Sequence, residues 1–376
     1  MQALAEKSLW PVDPSIEQNW SGRGQHVEFQ KDERNQINEL LDVQEALGTS
    51  SGAKVESVKC RRILLARKTI FCRRLSTTKQ AIDEVAQLTR LEHSHIVRVI
   101  GTYTLGKELS ILMYPAAEYN LEEFLDELHR EHPGPEMNAK IHSSQHFFCC
   151  LSKAVHYVHA KLVKHKDIKP QNILVRTTQP WDFSKDITNA YQVYLTDFGI
   201  SRSYRNLEDV ETDGPTGFTR KYAAPEVIRE DKRGFSADIF SLGCVFLEIA
   251  VCLFDVDHYY NSNLRVRHGR EEFGRTRLQT ILATNVHGQT GYYANIDQIH
   301  EHVTSHDFYH SKPLNLMYPF RWCFEEINLG WLLRSMLVDD PQERPTADQL
   351  DGYYGKSPCC VPIRPPLAAM SGNPEE

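Results

Sequence analysis

Residues 163–175 read VKHKDIKPQNILV and set a carboxylate (Asp167), an ammonium (Lys169) and an amide (Asn172) within one short stretch. Pro170 bars a helix through it. The apolar residues at its two ends, Leu162 and Val163 before it and Ile173 to Val175 after it, read as buried anchors, which predicts a polar loop pinned at both ends. Past Asn172, after the strand-like VYL, stands Asp197 in the tripeptide DFG. One aspartate can take the proton of a hydroxyl, while an asparagine and a second aspartate offer hard oxygens to a divalent cation. Phosphoryl transfer needs such a set, because positioning and charge neutralisation carry most of its catalysis.

The elements that must hold these residues can be read from periodicity. From about residue 42 the chain shows short β-type runs, LLDVQEALG, AKVESVKC and RILLARKTIF, then a helical pattern with Ile82, Val85, Leu88 and Leu91 on one face, then VRVIGTY and LSILMY. After Pro115 the texture is mainly helical, with apolar faces at Leu121, Phe124, Leu125 and Leu128, and again at Phe148, Leu151, Val155, Val158 and Leu162. The longest apolar stretch, Cys244–Phe254, is interrupted by Glu248 and falls short of a membrane span, so it reads as part of a buried helix over 236–253. Two more helical patterns follow within 320–350. Residues 1–41 are polar with isolated Trp10 and Trp20 and read as an extension packing loosely on the rest. Residues 351–376, with five prolines, read as an extended or disordered tail.

Composition narrows the classes. Hydrophobic residues at 41% and charged residues at 25% exclude wholesale disorder. A net charge of -7 gives no reason to expect a nucleic-acid or acidic-membrane partner. Nine cysteines, an odd number without CxxC spacing and set in apolar segments, suit reduced thiols, so the expected location is cytosolic or nuclear. The first residues lack a basic start followed by an apolar run, and no secretory signal is expected.

HKD at His165–Asp167, DIKPQN and DFG together resemble the eukaryotic protein kinase family, serine/threonine type. The resemblance extends over about residues 42–350. It implies a bilobal α+β fold: a five-stranded antiparallel N-lobe with one helix (42–114), a mainly helical C-lobe (115–350), and ATP with Mg²⁺ in the cleft. Lys68, ending LLARK, corresponds to the lysine that contacts the α- and β-phosphates, and Glu84 to its ion-pair partner on the helix. Met113 matches the gatekeeper, and Tyr114 to Ala116 match the hinge over the adenine. Asn172 and Asp197 match the metal ligands, Asp167 the base, and Lys169 the cation beside the γ-phosphate. Lys169 with Pro170 resembles the Ser/Thr version of the loop, and Thr219 falls where the family braces Asp167 and Lys169. His165 and Phe198 belong to the same two motifs. Glu226 of APE is expected to pair with Arg344, and Asp238 to brace the catalytic loop. The implied activity is transfer of the ATP γ-phosphoryl group to Ser or Thr of a protein substrate.

Two departures leave alternatives open. The phosphate-covering pattern GxGxxGxV is here GTSSGAKV, which keeps Gly48 and Val55, moves Gly52 one position early, and has Ser50 and Ala53 at two glycine positions. Glycine admits backbone conformations and close phosphate approach that Ser and Ala resist, at about 1 kcal/mol where φ is positive. A pseudokinase scaffold with weakened nucleotide binding is therefore the rival reading. Lys166 replaces the usual arginine beside the catalytic aspartate, and a lysine grips a phosphate only as a point charge. Thr212 and Thr216 are candidate phosphosites there, and the acidic residues Glu208, Asp209, Glu211 and Asp213 are the competing source of permanent charge. Residues 176–191 and 255–318 are longer than a minimal member of the family needs.

Overall fold

A computed structural model describes residues 19–49, 52–72, 75–178, 190–198, 202–203, 219–261, 274–283, 290–305 and 328–354. The chain divides into two compact units between Ala116 and Ala117, two residues beyond the expected boundary.

The first unit contains β1 (His26–Phe29), α1 (Arg34–Leu40), β2 (Asp42–Thr49), β3 (Ala53–Cys60), β4 (Ile63–Phe71), α2 (Leu75–Thr89), β5 (Arg98–Leu105) and β6 (Glu108–Tyr114). Runs such as ILLARKTIF and ELSILMY have the β-branched and aromatic content that a half-covered pleated surface favours. Strands β5 and β6 are joined by two residues, with Gly106 at φ 63, a conformation that a tight hairpin turn asks for and glycine meets without strain. The sheet order is β1-β5-β6-β4-β3-β2.

Five of these strands, β2 to β6, are the antiparallel set that the sequence predicts. The sixth is new: β1 joins β5 in parallel, with His26 opposite Thr102 and Phe29 opposite Leu105. It comes from the stretch read as a loose extension, and that reading is corrected here for residues 19–41. Trp20, Val27, Phe29, Ile37 and Leu41 lie in one core with Val58, Leu65, Ile100, Tyr103 and Leu112. Each fully buried large apolar side chain contributes about 1.5–3 kcal/mol. Sparse apolar residues in a polar stretch give no periodic signal, yet five of them here suffice to cover one sheet face.

Helix α2 buries Ala81, Glu84 and Leu88, with Leu91 following the helix end, while Ile82 is 56% exposed. The predicted face is thus rotated by about one position. A 3.6-residue period admits both choices, and the inward turn of Glu84 selects the observed one.

The second unit contains β7 (Tyr119–Asn120), α3 (Leu121–Arg130), α4 (Pro135–Ala160), β8 (Val163–Lys164), β9 (Ile173–Thr177), β10 (Tyr191–Leu195), β11 (Arg202–Ser203), α5 (Pro225–Ile228), α6 (Ser236–Asn261), α7 (Gly274–Ala283), α8 (Ile296–Ser305), α9 (Leu329–Met336) and α10 (Ala347–Tyr354). Asn120 caps α3 reciprocally: its side chain accepts from Glu123 N–H while the Glu123 carboxylate accepts from Asn120 N–H. Helix α6 runs further than the sequence reading placed it. Its segment Ser236–Val256 is long and apolar enough to cross a membrane, but 89% of its most apolar window is buried inside the protein, which makes it a core helix.

The predicted tail is corrected at its start. Helix α10 continues to Tyr354 and docks on α4 through Lys153 Nζ to Asp351 Oδ1 at 2.9 Å, and residues 355–376 lie outside the described residues. Of the two long segments, 255–318 contains the end of α6 with α7 and α8, and 176–191 contains the strand ends Thr177 and Tyr191.

Candidate active site

Asp167 stands on the loop between β8 and β9, pinned on both sides as its apolar flanks require: Val163, Ile173 and Val175 are buried. Its Oδ2 accepts from Lys169 Nζ at 2.6 Å and from Asn172 Nδ2 at 2.9 Å, and its Oδ1 accepts from Thr219 Oγ1 at 2.7 Å. Lys169 Nζ also donates to Thr219 Oγ1 at 2.6 Å, closing a three-membered ring of hydrogen bonds. An ionised carboxylate has about four acceptor sites, so three donors leave room for one more. Thr219 thus takes the place that the resemblance implied.

Asn172 donates through Nδ2 to both the backbone and the side chain of Asp167, which fixes the orientation of its amide. Strand pairing brings Asp197 to the same end of the ladder: Ile173 lies opposite Leu195, and Thr196 N–H donates to the Asn172 carbonyl at 3.0 Å. Asp197 and Lys166 hold φ values of 63 and 71, left-handed conformations that cost about 1–2 kcal/mol for a residue with a Cβ. Such strain collects at functional sites where neighbouring structure enforces it. Among the described residues no cluster of three or more His, Cys, Asp or Glu could cage a metal. One amide oxygen and one carboxylate fit Mg²⁺, which keeps waters and takes phosphate oxygens as its remaining ligands.

What enforces the loop is Asp238, at the start of α6 and buried. Oδ2 accepts from His165 N–H at 2.9 Å and Oδ1 from Lys166 N–H at 2.8 Å, clasping the backbone at its left-handed turn. Burial pushes the Asp238 carboxyl up, but the hydrogen bond and charge of His159, followed by the charge of His165 and the Lys166 N–H, outweigh it and hold the carboxyl below its ordinary value. His159 Nε2 lies 3.0 Å from Asp238 Oδ2, and its ring stacks on Phe235. The sequence reading found Asp238 and missed His159, which sits in the last turn of α4, where an apolar-face count passes over a buried histidine. His165 donates through Nε2 to the Thr196 carbonyl at 2.9 Å and accepts Asp167 N–H at Nδ1, and its ring meets Phe198 edge-on at 4.6 Å. Both rings are 1% exposed.

Glu226 and Arg344 form a bidentate pair, Nη1 to Oε1 at 2.7 Å and Nη2 to Oε2 at 2.9 Å. Arg344 also donates to the carbonyls of Ser236, Val338 and Asp339, so the buried guanidinium is matched on several sides.

In the first unit, Lys68 Nζ lies 2.7 Å from Glu84 Oε1. Strand register puts Gly48 opposite Val55, Val55 opposite Lys68, and Ala66 opposite Met113. Opposed residues in antiparallel strands share a face, as do residues two apart, so Gly48, Val55, Lys68 and Met113 lie on one side of the sheet. Gly52 is tied down by its carbonyl, which accepts from Phe71 N–H. Tyr114 ends β6 opposite Arg98, and Ala116 is buried. Thr212 and Thr216 lie outside the described residues.

Comparison with known proteins agrees in kind. The family profile described as "Protein kinase domain" matches residues 41–352. Cell division control protein 2 homolog 2 of Trypanosoma brucei brucei is 27% identical over 270 residues, 71% of this chain and 67% of that protein. Mitogen-activated protein kinase kinase kinase 2 of Arabidopsis thaliana is 28% identical over 248 residues, 66% of this chain and 32% of that protein. Cyclin-dependent kinase E-1 of the same plant is 29% identical over 171 residues, 45% of this chain and 34% of that protein. The matched stretch therefore spans about a third of the length of the two plant relatives.

Proposed function

The chain belongs to the protein kinase family, and on that footing we propose that it is an active protein kinase transferring the γ-phosphoryl group of ATP to Ser or Thr hydroxyls of protein substrates. One observation carries the reading: the closed ring of Asp167, Lys169 and Thr219, with Asn172 bonded to the same carboxylate. In it Asp167 orients the incoming hydroxyl and takes its proton, while Lys169 offsets charge on the phosphoryl group in transit. Lys68, held by Glu84, contacts the α- and β-phosphates. Asn172 and Asp197 would hold Mg²⁺, whose charge would neutralise that of the phosphates. Lys169 and Thr219 also favour Ser/Thr over Tyr acceptors.

The relatives' names, a mitogen-activated protein kinase kinase kinase and a cyclin-dependent kinase, support a protein as the substrate. A cytosolic or nuclear setting belongs to the same reading. It is supported by the burial of Cys60, Cys149, Cys150, Cys244 and Cys252, with burial pushing Cys252 up to about 12 and so keeping it protonated.

The rival pseudokinase reading draws on Ala53 and Ser50 in the phosphate-covering segment. Radiolabelled ATP offered with a Ser/Thr/Tyr peptide library separates the two. Wild type should label Ser and Thr peptides and Asp167→Ala should not; equal labelling by both proteins, or by neither, removes the active-kinase assignment.

A further inference from the structure

Residues Trp20–Phe29 lie upstream of the stretch that matches the family, yet they are built into the sheet that carries Lys68. One row of opposed residues crosses five strands: Val55 faces Lys68, Lys68 faces Ile111, Ile111 faces Thr102, and Thr102 faces His26. The far end of that row is fastened twice. Thr102 N–H donates to the Gln25 carbonyl at 3.0 Å, and His26 Nδ1 lies 2.8 Å from Thr102 Oγ1. Gly101 makes the approach possible, since a Cβ there would collide with the Trp20 indole and the Gln25 carbonyl.

Trp20 is 0% exposed, donates through Nε1 to the Gln25 carbonyl at 3.0 Å, and packs against Tyr103 with ring centroids 5.7 Å apart. Phe29 closes the trio, meeting Tyr103 edge-on at 5.9 Å. The Tyr103 hydroxyl accepts from Arg67 Nη1 at 3.3 Å, and Arg67 Nη2 donates to Glu56 Oε2 at 2.9 Å. Burial works against the Arg67 charge, but Tyr103 and Glu56 more than compensate, and the guanidinium stays above its ordinary value. Arg67 immediately precedes Lys68 and points to the opposite face of β4. Strand β4 is therefore gripped on one face by a buried ion pair under an aromatic cover, and on the other by Lys68 with Glu84.

We propose that Trp20 is a positioning residue for Lys68: through Tyr103, Arg67 and the five-strand row, the segment upstream of the family domain sets where β4 presents the Lys68 ammonium, and thereby sets nucleotide affinity. This rests on the reading of Lys68 as a nucleotide-phosphate contact. A charge-assisted hydrogen bond to a phosphate depends on distance and angle, so a small relaxation of β4 is enough to weaken it.

The test measures the dissociation constant of Mg²⁺–ATP by calorimetry on the full chain, alongside kcat and KM. Lys68→Met should weaken binding by about 10-fold or more, as loss of a charge-assisted phosphate contact does. If it does not, the nucleotide reading of Lys68 has failed and the proposal falls with it. With that contact established, Trp20→Ala should weaken binding by about 5–20-fold with kcat at saturating ATP within about 3-fold of wild type, and Trp20→Phe should recover to within about 2-fold. Ile37→Ala, in the same core but outside the series Trp20, Tyr103 and Arg67, should lower the melting temperature and leave the dissociation constant alone. Wild-type affinity in folded Trp20→Ala, or an equal loss in Ile37→Ala, overturns the proposal. Should Trp20→Ala not fold, Tyr103→Phe decides: it removes only the hydroxyl facing Arg67, a loss of about 3-fold in affinity supports the link, and unchanged affinity overturns it.

Discussion

Asp167 is gripped by three donors and backed by a buried carboxylate that holds the preceding two backbone N–H groups. Strand β2, leading into the phosphate-covering segment, is exposed at all eight positions, sits at the sheet edge, and pairs with β3 through two register irregularities. A Cβ added at Gly48 or Gly52 would meet nothing within 4 Å. The two regions differ in who imposes their chemistry. At the Asp167 loop the protein's own packing dictates residue type, so a change there breaks several bonds at once. At Gly48 and Gly52 no described protein atom would press on an added Cβ, so packing leaves the residue type at those two positions open, while Ser50 lies outside the described residues.

That contrast can be broken by experiment. The largest effect is expected at Asp167: Asp167→Asn keeps the shape but not the base, and kcat should fall about 10²–10⁴-fold, with the melting temperature lowered because the new amide nitrogen cannot accept the bonds that the carboxylate oxygen did. A fall of less than about 10-fold in a phosphotransfer assay would show that this carboxylate is not the general base.

Next comes the bidentate pair. Arg344→Ala leaves the Glu226 carboxylate buried without its partner, and urea unfolding should show a loss of about 3–5 kcal/mol. A loss near that of an exposed pair, under about 1 kcal/mol, would mean the site relaxes and admits water.

Asp238 sharpens the comparison through pH. Its carboxyl is held below its ordinary value, so the folded state binds its proton less readily than the unfolded chain. The stabilisation is therefore complete above the unfolded carboxyl's pKa, about 4, and is lost as pH falls through the folded value beneath it. Asp238→Asn should be less stable at neutral pH and should lose less of its remaining stability between pH 5 and 2 than wild type; parallel acid-unfolding curves would contradict this.

The smallest effect belongs to the phosphate-covering segment. Ala53→Gly should change stability by no more than about 1 kcal/mol and should tighten ATP binding a few-fold at most. A loss of stability well beyond that would show that the segment is packed after all, and the contrast with the catalytic loop would disappear.

How much of this was legible beforehand follows the same division. Asp167, Lys169, Asn172 and Asp197 are adjacent or nearly so to signals that act locally: a proline, apolar anchors, a turn. The Lys68 with Glu84 and Glu226 with Arg344 pairs were inferred from family resemblance, and their partners lie 16 and 118 residues apart, beyond any local pattern. Ile82 was placed inward because helical spacing leaves the rotation of a face undetermined by one position. His159 went unnoticed because a buried histidine acquires its role from the carboxylate that it meets, 79 residues away.

Residue chemistry and local periodicity settled the order of strands and helices, the pinned polar loop and the identity of its acid, ammonium and amide, since each depends on neighbours a few positions distant. Packing alone settled which face of α2 turns inward and that residues 19–41 add a parallel strand and an aromatic cover to the sheet. The physical reason is that apolar burial is non-directional. A scattered Trp20, Phe29 and Ile37 carry no pattern along the chain, and their contribution exists only once a complementary apolar surface has formed to receive them.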